Sequence, residues 1–294
     1  MGSLIEIKTD GLAKVCDLFC SVTGLKAYGM KKETDAKIYD AIEMAKAEGR
    51  IAIIEQGSKE NLERYILNKE QRKLRNISGV TLNAVQEFSS NEEISDKEVN
   101  SDWSTRFFKF AEDISDEDMQ KLWGKILAGE VRKPGSFSLR TLQILYNLTK
   151  EEADVFIKLS TMALGIEKDV IITETDVIPD IKDIWLMEEA GLMNATEGQF
   201  NLRPGQIPTL LALRINHFSI FAEYPSPDSF LKTMNIKRLS ASAMELLTLI
   251  EDREVEVEYL IKLGHFFKSK GANKYYCLKN ITENTFEPTP VFVI

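Results

Sequence analysis

Apolar residues recur every three or four positions through most of the first 165 residues, which is the spacing of one face of an α-helix. The pattern predicts a short helix at 12–25 and two longer helices at 31–56 and 58–90. Gly57 and Ser58 form a short joint between two long segments of similar length, so we predict an antiparallel helical hairpin. The alternative, in which each long helix pairs with a second copy of the chain, stays open.

The first long helix carries a seam of small residues. Ala45, Gly49 and Ala52 follow one another at heptad spacing, and small side chains let a neighbouring helix approach closely. Ile51 and Ile54 lie off this seam and also need cover. We therefore predict a homo-oligomer with an interface at Ala45, Gly49 and Ala52, and cover from the 12–25 segment is the alternative.

A second group of short amphipathic helices is predicted between residues 101 and 165. Trp103 and Trp123 lie on the apolar faces of these helices, so we expect both tryptophans in a core. The predicted helix-start and helix-stop signals are Ser115, Pro134, Gly135, Ser138 and the capping-box pair Thr149 and Glu152. The segment from Ser89 to Asn100 is polar and acidic, and we predict that it forms the linker before this group.

From residue 166 onward, short β-branched runs alternate with helices. Strands are predicted at 170–173, 199–202, within 210–224 and at 274–278. The helix containing Trp185, the glycine after it and the following hairpin resemble the end of a winged-helix unit. The apolar tail, which contains Pro288 and Pro290, is predicted to be extended and to dock on an edge strand or on another subunit.

The fold prediction is therefore a mainly α protein in three parts. Residues 1–90 form a long N-terminal helical hairpin that serves oligomerisation. Residues 101–165 form a compact central helical unit. Residues 166–294 form a C-terminal α+β module with winged-helix-like features.

Composition and charge limit the class of protein. The chain has 44% hydrophobic and 28% charged residues, as is usual for a soluble globular protein, and its net charge of −9 argues against nucleic-acid binding by the molecule as a whole. Three cysteines without a Cys-x-x-Cys pair, and an acidic N-terminus without a signal sequence, predict a cytoplasmic location. No apolar run is long enough for a transmembrane helix, and peripheral membrane contact by the 12–25 segment is the alternative to packing on the body.

One local basic run departs from the acidic average. The second long helix carries five cations against three glutamates between residues 60 and 75. The candidate nucleic-acid-binding residues are Arg64, Lys69, Arg72, Lys73 and Arg75. The more frequent role of such a run is a solvated helix face crossed by salt bridges, so nucleic acid is an alternative and not the favoured partner.

No catalytic motif is recognisable in the sequence. It contains no phosphate-binding, dinucleotide-binding, Gly-x-Ser-x-Gly or zinc-protease motif. Neither His217 nor His265 lies in a recognisable catalytic motif. Cys16 and Cys20 share a helix face but could supply only half of a zinc site. We therefore predict no catalytic residue, no metal and no cofactor, and we leave open a carboxylate-based enzyme assembled from distant residues.

Several segments carry a resemblance to known bacterial families. The segments DWSTRFF, ISDEDMQKLWGKILAGEV and PGSFSLRTLQIL, with Asn76 and Ile77 after the basic run QRKLRNI, resemble the domain-of-unknown-function family numbered 2806 over roughly residues 10–165. The chain is also similar to the abortive-infection alpha family, although LSASAMELL at 239–247 lacks that family's glycine.

The resemblance implies a function as well as a fold. It implies a non-enzymatic oligomerising or interaction protein of antiphage, abortive-infection-type defence, with a protein partner encoded nearby. Two alternatives stay open from the residues themselves. One is a winged-helix nucleic-acid-binding sensor or regulator, and the other is an effector nuclease or hydrolase.

Overall fold

The computed structural model describes residues 10–23, 56–89, 94–164, 170–174, 176–202, 207, 209–250, 255–280, 287 and 292–293. Within the chain, packing separates two compact units, Met1–Leu142 and Gln143–Ile294. This boundary divides the predicted central segment 101–165 and joins its first part to the N-terminal helices.

The described part of the first unit is helical. Its helices are α1 (Asp10–Thr23), α2 (Gln56–Gln86), α3 (Ser101–Ala111), α4 (Glu117–Arg132) and the start of α5 (Leu139–Asn147). The long helix α2 packs mainly on α4, with Ile77, Val80 and Ala84 buried on its inner face. Residues 31–55 of the predicted first hairpin helix, with Ala45, Gly49 and Ala52, lie outside the described residues. The predicted joint at Gly57 and Ser58 is instead part of the first turn of α2.

The helix starts follow the capping rules closely. Asn100 caps α3 by accepting hydrogen bonds from the amides of Asp102 and Trp103. Asp116 caps α4, one residue after the predicted Ser115, because its carboxylate accepts from the amide of Met119 and complements the positive helix end. The capping box of Thr149 and Glu152, which begins α6 (Lys150–Thr161), is confirmed.

An aromatic cluster forms the core of the first unit. Trp103 and Trp123 are 4% and 0% exposed, which confirms their predicted burial. The ring of Phe107 lies 5.0 Å from Trp103 and 5.3 Å from Trp123, so it joins the two tryptophans. Trp103 Nε1 also donates a 2.7 Å hydrogen bond to the carbonyl of Phe137, and this bond ties the loop after α4 to α3.

The second unit combines helices with two small antiparallel sheets. Its remaining elements are β1 (Val170–Ile172), α7 (Ile181–Glu189), β2 (Gly198–Asn201), β3 (Leu210–Ile215), β4 (Phe218–Glu223), a 3₁₀ turn (Pro227–Ser229), β5 (Thr233–Arg238), α8 (Ala241–Leu247), α9 (Val257–Ser269), β6 (Lys274–Lys279) and β7 (Phe292–Val293). The strand orders are β1-β5-β2 and β3-β4-β6-β7. Helices predominate among the described elements, and the second unit is mixed α/β.

Every predicted strand is present, but one strand at the centre of a sheet was not predicted. Strand β5 was not predicted, yet it is the middle strand of the first sheet and pairs Ile171 with Lys237 and Phe200 with Met234. The predicted strands of 210–224 form the β3–β4 hairpin. The C-terminal tail pairs with the edge strand β6 through β7, which is one of the two predicted positions.

Aromatic side chains also form the core below the second sheet. Phe266 and Phe267 on α9 are buried, and the ring of Phe267 lies 6.0 Å from that of Tyr275 on β6. The hydroxyl of Tyr275 donates a 3.0 Å hydrogen bond to the carbonyl of Leu260, so sheet and helix are joined by polar as well as apolar contacts.

Candidate functional site

Three large apolar side chains are exposed together at the start and outer face of α7. Ile178, Ile181 and Trp185 are 37%, 43% and 56% exposed. Ile181 and Trp185 are four residues apart on the helix and therefore lie on one face, and Ile178 precedes them in the connecting turn. We call these three residues the Trp185 surface.

A second face of α7 anchors the helix in the second unit. Ile184 and Met187 are fully buried there, and Asp180 caps the helix by accepting from the amide of Lys182. Gly191 then ends the helix with a φ of +74°, a conformation that glycine adopts without strain. The helix is therefore fixed by its inner face, and the Trp185 surface is held outward.

The acidic residues of α7 divide into paired and exposed groups. Asp183 accepts a 2.7 Å hydrogen bond from Lys158, which raises the pKa of that lysine, and Glu188 pairs with the buried Lys237. The exposed charged residues on and just before α7 are Asp176, Asp180 and Glu189 with Lys182. Three carboxylates against one cation leave the surroundings of the apolar patch with a net negative charge.

The five predicted nucleic-acid-binding residues of α2 do not form one exposed set. Arg64, Lys69, Arg72 and Arg75 are exposed, but Lys73 is half-buried and lies 2.9 Å from Glu112 and 3.7 Å from Glu70. The hydrogen bond to Glu112 is the main cause that raises the pKa of Lys73. Lys73 therefore belongs to an internal ion-pair network of the first unit.

An exposed aromatic ring lies among the four remaining cations. Tyr65 is 63% exposed. With 100° between successive helical residues, Arg64, Tyr65, Lys69, Arg72 and Arg75 fall within an arc of about 140°. We call these five residues the α2 basic face. The sequence prediction included its four cations but not Tyr65.

A cleft in the first unit lies beside the Pro134–Gly135 turn. Its volume is about 460 Å³, and its walls include Trp103, Glu130 and Phe137. The buried carboxylate of Glu130 accepts hydrogen bonds from the amides of Gly135 and Phe137, at 2.6 and 3.0 Å. Glu130 therefore holds the loop in place, and its oxygens are already engaged by the backbone.

Groups capable of metal or acid–base chemistry are scattered. Within the described ranges, no three His, Cys, Asp or Glu side chains are close enough to hold a metal ion. Cys16 and Cys20 are half-buried free thiols on α1, and burial raises the pKa of Cys16. No described helix is both long and apolar enough to cross a membrane.

The Trp185 surface is the feature that sequence reasoning missed. The sequence analysis places Trp185 on a helix but does not predict whether it is buried or exposed. A signal was nevertheless present, because on a helical projection the mean direction of Ile181 and Trp185 lies about 110° from that of Ile184 and Met187. A nine-residue helix with apolar residues on two faces is expected to pack on its own unit with one face and to contact a partner with the other.

Comparison with known proteins gives one match. The family model described as "Protein of unknown function (DUF2806)" matches residues 60–246, which is more than half of the chain. The matched range starts later than the expected 10–165 and extends through most of the second unit. No curated protein and no solved structure matches.

Proposed function

The chain belongs to the DUF2806 family of proteins of unknown function, and we propose that it is a non-enzymatic interaction protein that self-associates through the Trp185 surface. The single observation behind this proposal is the exposure of Ile181 and Trp185 on one face of an anchored helix, with the exposed Ile178 three residues before Ile181. Burying a large apolar side chain contributes about 1.5–3 kcal/mol, so covering the exposed part of these three supplies roughly 2–4 kcal/mol. Tryptophan is also enriched among the residues that dominate protein interfaces.

We further propose that the second unit contains a winged-helix-like module. The order α6, β1, a turn at 176–177, α7, β2 and β5, with β1-β5-β2 as the strand order, supports this proposal. In such a module α7 would take the position of the recognition helix, and the segment with β3 and β4 would be inserted in the wing. The Trp185 surface would then lie where many winged helices contact their ligand.

The charge of α7 favours a protein ligand over nucleic acid. The helix carries Lys182 against Asp183, Glu188 and Glu189. A helix that faces DNA phosphates needs a positive surface, because neutralising phosphates supplies most of the non-specific affinity. An acidic rim around an apolar centre instead matches the composition of a protein interface with a complementary, positively charged partner.

Light scattering tests the proposal by measuring the apparent molar mass of the purified full chain over a range of concentrations. Trp185→Ala is expected to weaken self-association by about thirtyfold or more, as for a central interface tryptophan. Val257→Ala is the matched control, because Val257 is an equally exposed apolar residue on α9. A wild-type chain that stays monomeric up to millimolar concentration, or a Trp185→Ala chain that assembles like wild type, contradicts the proposal.

Two further expectations stay proposals beside this one. A role in antiphage defence is motivated by the sequence resemblance to the abortive-infection alpha family, which the family comparison does not show, and phage challenge of bacteria carrying the gene with its neighbours tests it. The seam of Ala45, Gly49 and Ala52 is a second predicted interface. Gly49→Leu distinguishes it from the Trp185 surface, since a larger side chain would force the seam helices apart.

A further inference from the structure

We propose that the Trp185 surface of one chain binds the α2 basic face of a second copy, so that chains associate head to tail. This inference rests on the proposed self-association and names the partner of that same surface. It follows from two exposed helix faces of opposite charge, one on each unit.

The α2 basic face has the composition that the Trp185 surface requires. Arg64, Lys69, Arg72 and Arg75 are exposed, and the nearby Glu70 is directed to Lys73. Tyr65 supplies a large amphipathic ring among these cations. The face spans residues 64–75, which is about 17 Å along the helix axis.

The Trp185 surface offers matching groups. Trp185 and Ile181 form an apolar centre that can receive the ring of Tyr65 and the methylene stems of arginine and lysine. A guanidinium over the face of a tryptophan gains a further cation–π attraction. The exposed carboxylates of Asp176, Asp180 and Glu189 can then pair with the cationic groups at the rim.

Charge decides which faces can meet. Two copies of the α2 basic face repel each other, and so do two copies of the acidic Trp185 surface, because like charges would be brought together. An isologous dimer needs a self-complementary face, which neither of these is. The remaining arrangement is heterologous, and it generates a ring or an open chain of copies. One helix against another buries a small area, so the association is expected to be weak and concentration-dependent.

A mixing experiment with full-length variants tests this arrangement. Lys69→Glu with Arg72→Glu inactivates the α2 basic face and leaves the Trp185 surface intact. Trp185→Ala does the reverse. For each variant alone, the association constant of assembly is expected to fall by about tenfold or more. An equimolar mixture of the two is expected to form a dimer with one variant of each kind and no larger species, because a single working interface remains.

Controls separate this inference from the proposed function. Lys109→Glu with Lys133→Glu makes the same charge change at exposed positions of the same unit and should assemble like wild type. Circular dichroism confirms that every variant is folded. If wild type assembles and Trp185→Ala does not, but the Lys69→Glu, Arg72→Glu variant still assembles alone, the Trp185 surface is kept as an interface and α2 is rejected as its partner.

Nucleic acid is the competing ligand of the α2 basic face. Gel-shift titration with a 20-base-pair duplex and a single-stranded oligonucleotide addresses it. Salt-sensitive binding by wild type that is lost in the Lys69→Glu, Arg72→Glu variant, with assembly unchanged by that variant, overturns the head-to-tail arrangement. Loss of assembly without detectable nucleic-acid binding supports it.

Discussion

Trp123 and Trp185 both lie on amphipathic helices, but their surroundings differ at the level of single residues. Trp123 is fully buried against Phe107 in the first unit, whereas Trp185 is more than half exposed. Burial of a tryptophan in a packed core contributes far more to folding stability than a ring at the surface. The two residues are therefore expected to respond oppositely in stability and in assembly.

Trp123→Ala is expected to lower the free energy of unfolding of the first unit by about 3–5 kcal/mol, because it removes a large ring from a close-packed site. Chemical denaturation followed by circular dichroism measures this. Trp185→Ala serves as the comparison and should change stability by no more than about 0.5 kcal/mol in the dilute monomer. An unchanged denaturation midpoint for Trp123→Ala would show that the ring does not support the core.

Residue-level prediction from sequence worked where the rule is local. The capping box at Thr149 and Glu152 and the glycine that ends α7 depend only on nearby backbone groups, and both are present. The pairing of Lys73 with Glu112 depends on how α2 meets the residue after α3, which no local pattern contains. The exposure of Trp185 likewise depends on which of two apolar helix faces the fold covers.

At the scale of elements, α2 and α4 approach each other closely at Gly124. A Cβ atom added at Gly124 on α4 would lie 2.7 Å from Asn83 Cβ and 2.9 Å from the backbone nitrogen of Ala84. Backbone atoms cannot move aside without shifting the whole helix. Gly124 is therefore required by the distance between two helices, and the sequence alone shows it only as a glycine in a helix.

Gly124→Ala is expected to destabilise the first unit by about 1–3 kcal/mol, although alanine favours a helix over glycine by about 0.5–1 kcal/mol. The control is Gly79→Ala on α2, where the added Cβ would meet the side-chain amide of Gln120, which can rotate away. Thermal unfolding of both variants gives the comparison. Equal or greater stability for Gly124→Ala would mean that α2 and α4 approach less closely.

Whether a segment forms a helix or a strand was more predictable from the sequence than the element with which it packs or pairs. Helices α1, α2, α4 and α6 and strands β1, β3, β4 and β6 fall where periodicity and turn residues placed them. Strand β5 was missed although Met234 and Ile236 alternate with exposed residues, because Lys237 interrupts the apolar pattern. That lysine is buried through its contacts with Glu188 and the carbonyl of Ala195, and such tertiary compensation is invisible in one sequence.

At the scale of the whole molecule, charge is distributed unevenly over the chain. The net charge of −9 opposes random association of copies, yet the exposed cations of α2 concentrate positive charge on one helix. The α2 basic face and the Trp185 surface carry opposite charges, whereas two copies of either surface carry like charges. Specificity in the proposed head-to-tail arrangement therefore comes from repulsion between like surfaces as well as from attraction between unlike ones.

The division into two units gives the last prediction, which concerns truncation. Fragment 139–294 begins at the first residue of α5 and contains the second unit, so it is expected to fold cooperatively and keep the secondary structure of β1–β7. Fragment 91–294 removes α2 but keeps α4, and with α2 it loses the buried side chains of Ile77, Val80 and Ala84. The α4 surface that packs on α2 would then face water, so fragment 91–294 is expected to bind a hydrophobic dye and to aggregate. Thermal unfolding, dye fluorescence and light scattering compare the fragments. A soluble 91–294 fragment with a sharp transition for α4 would show that α2 is dispensable to the first unit.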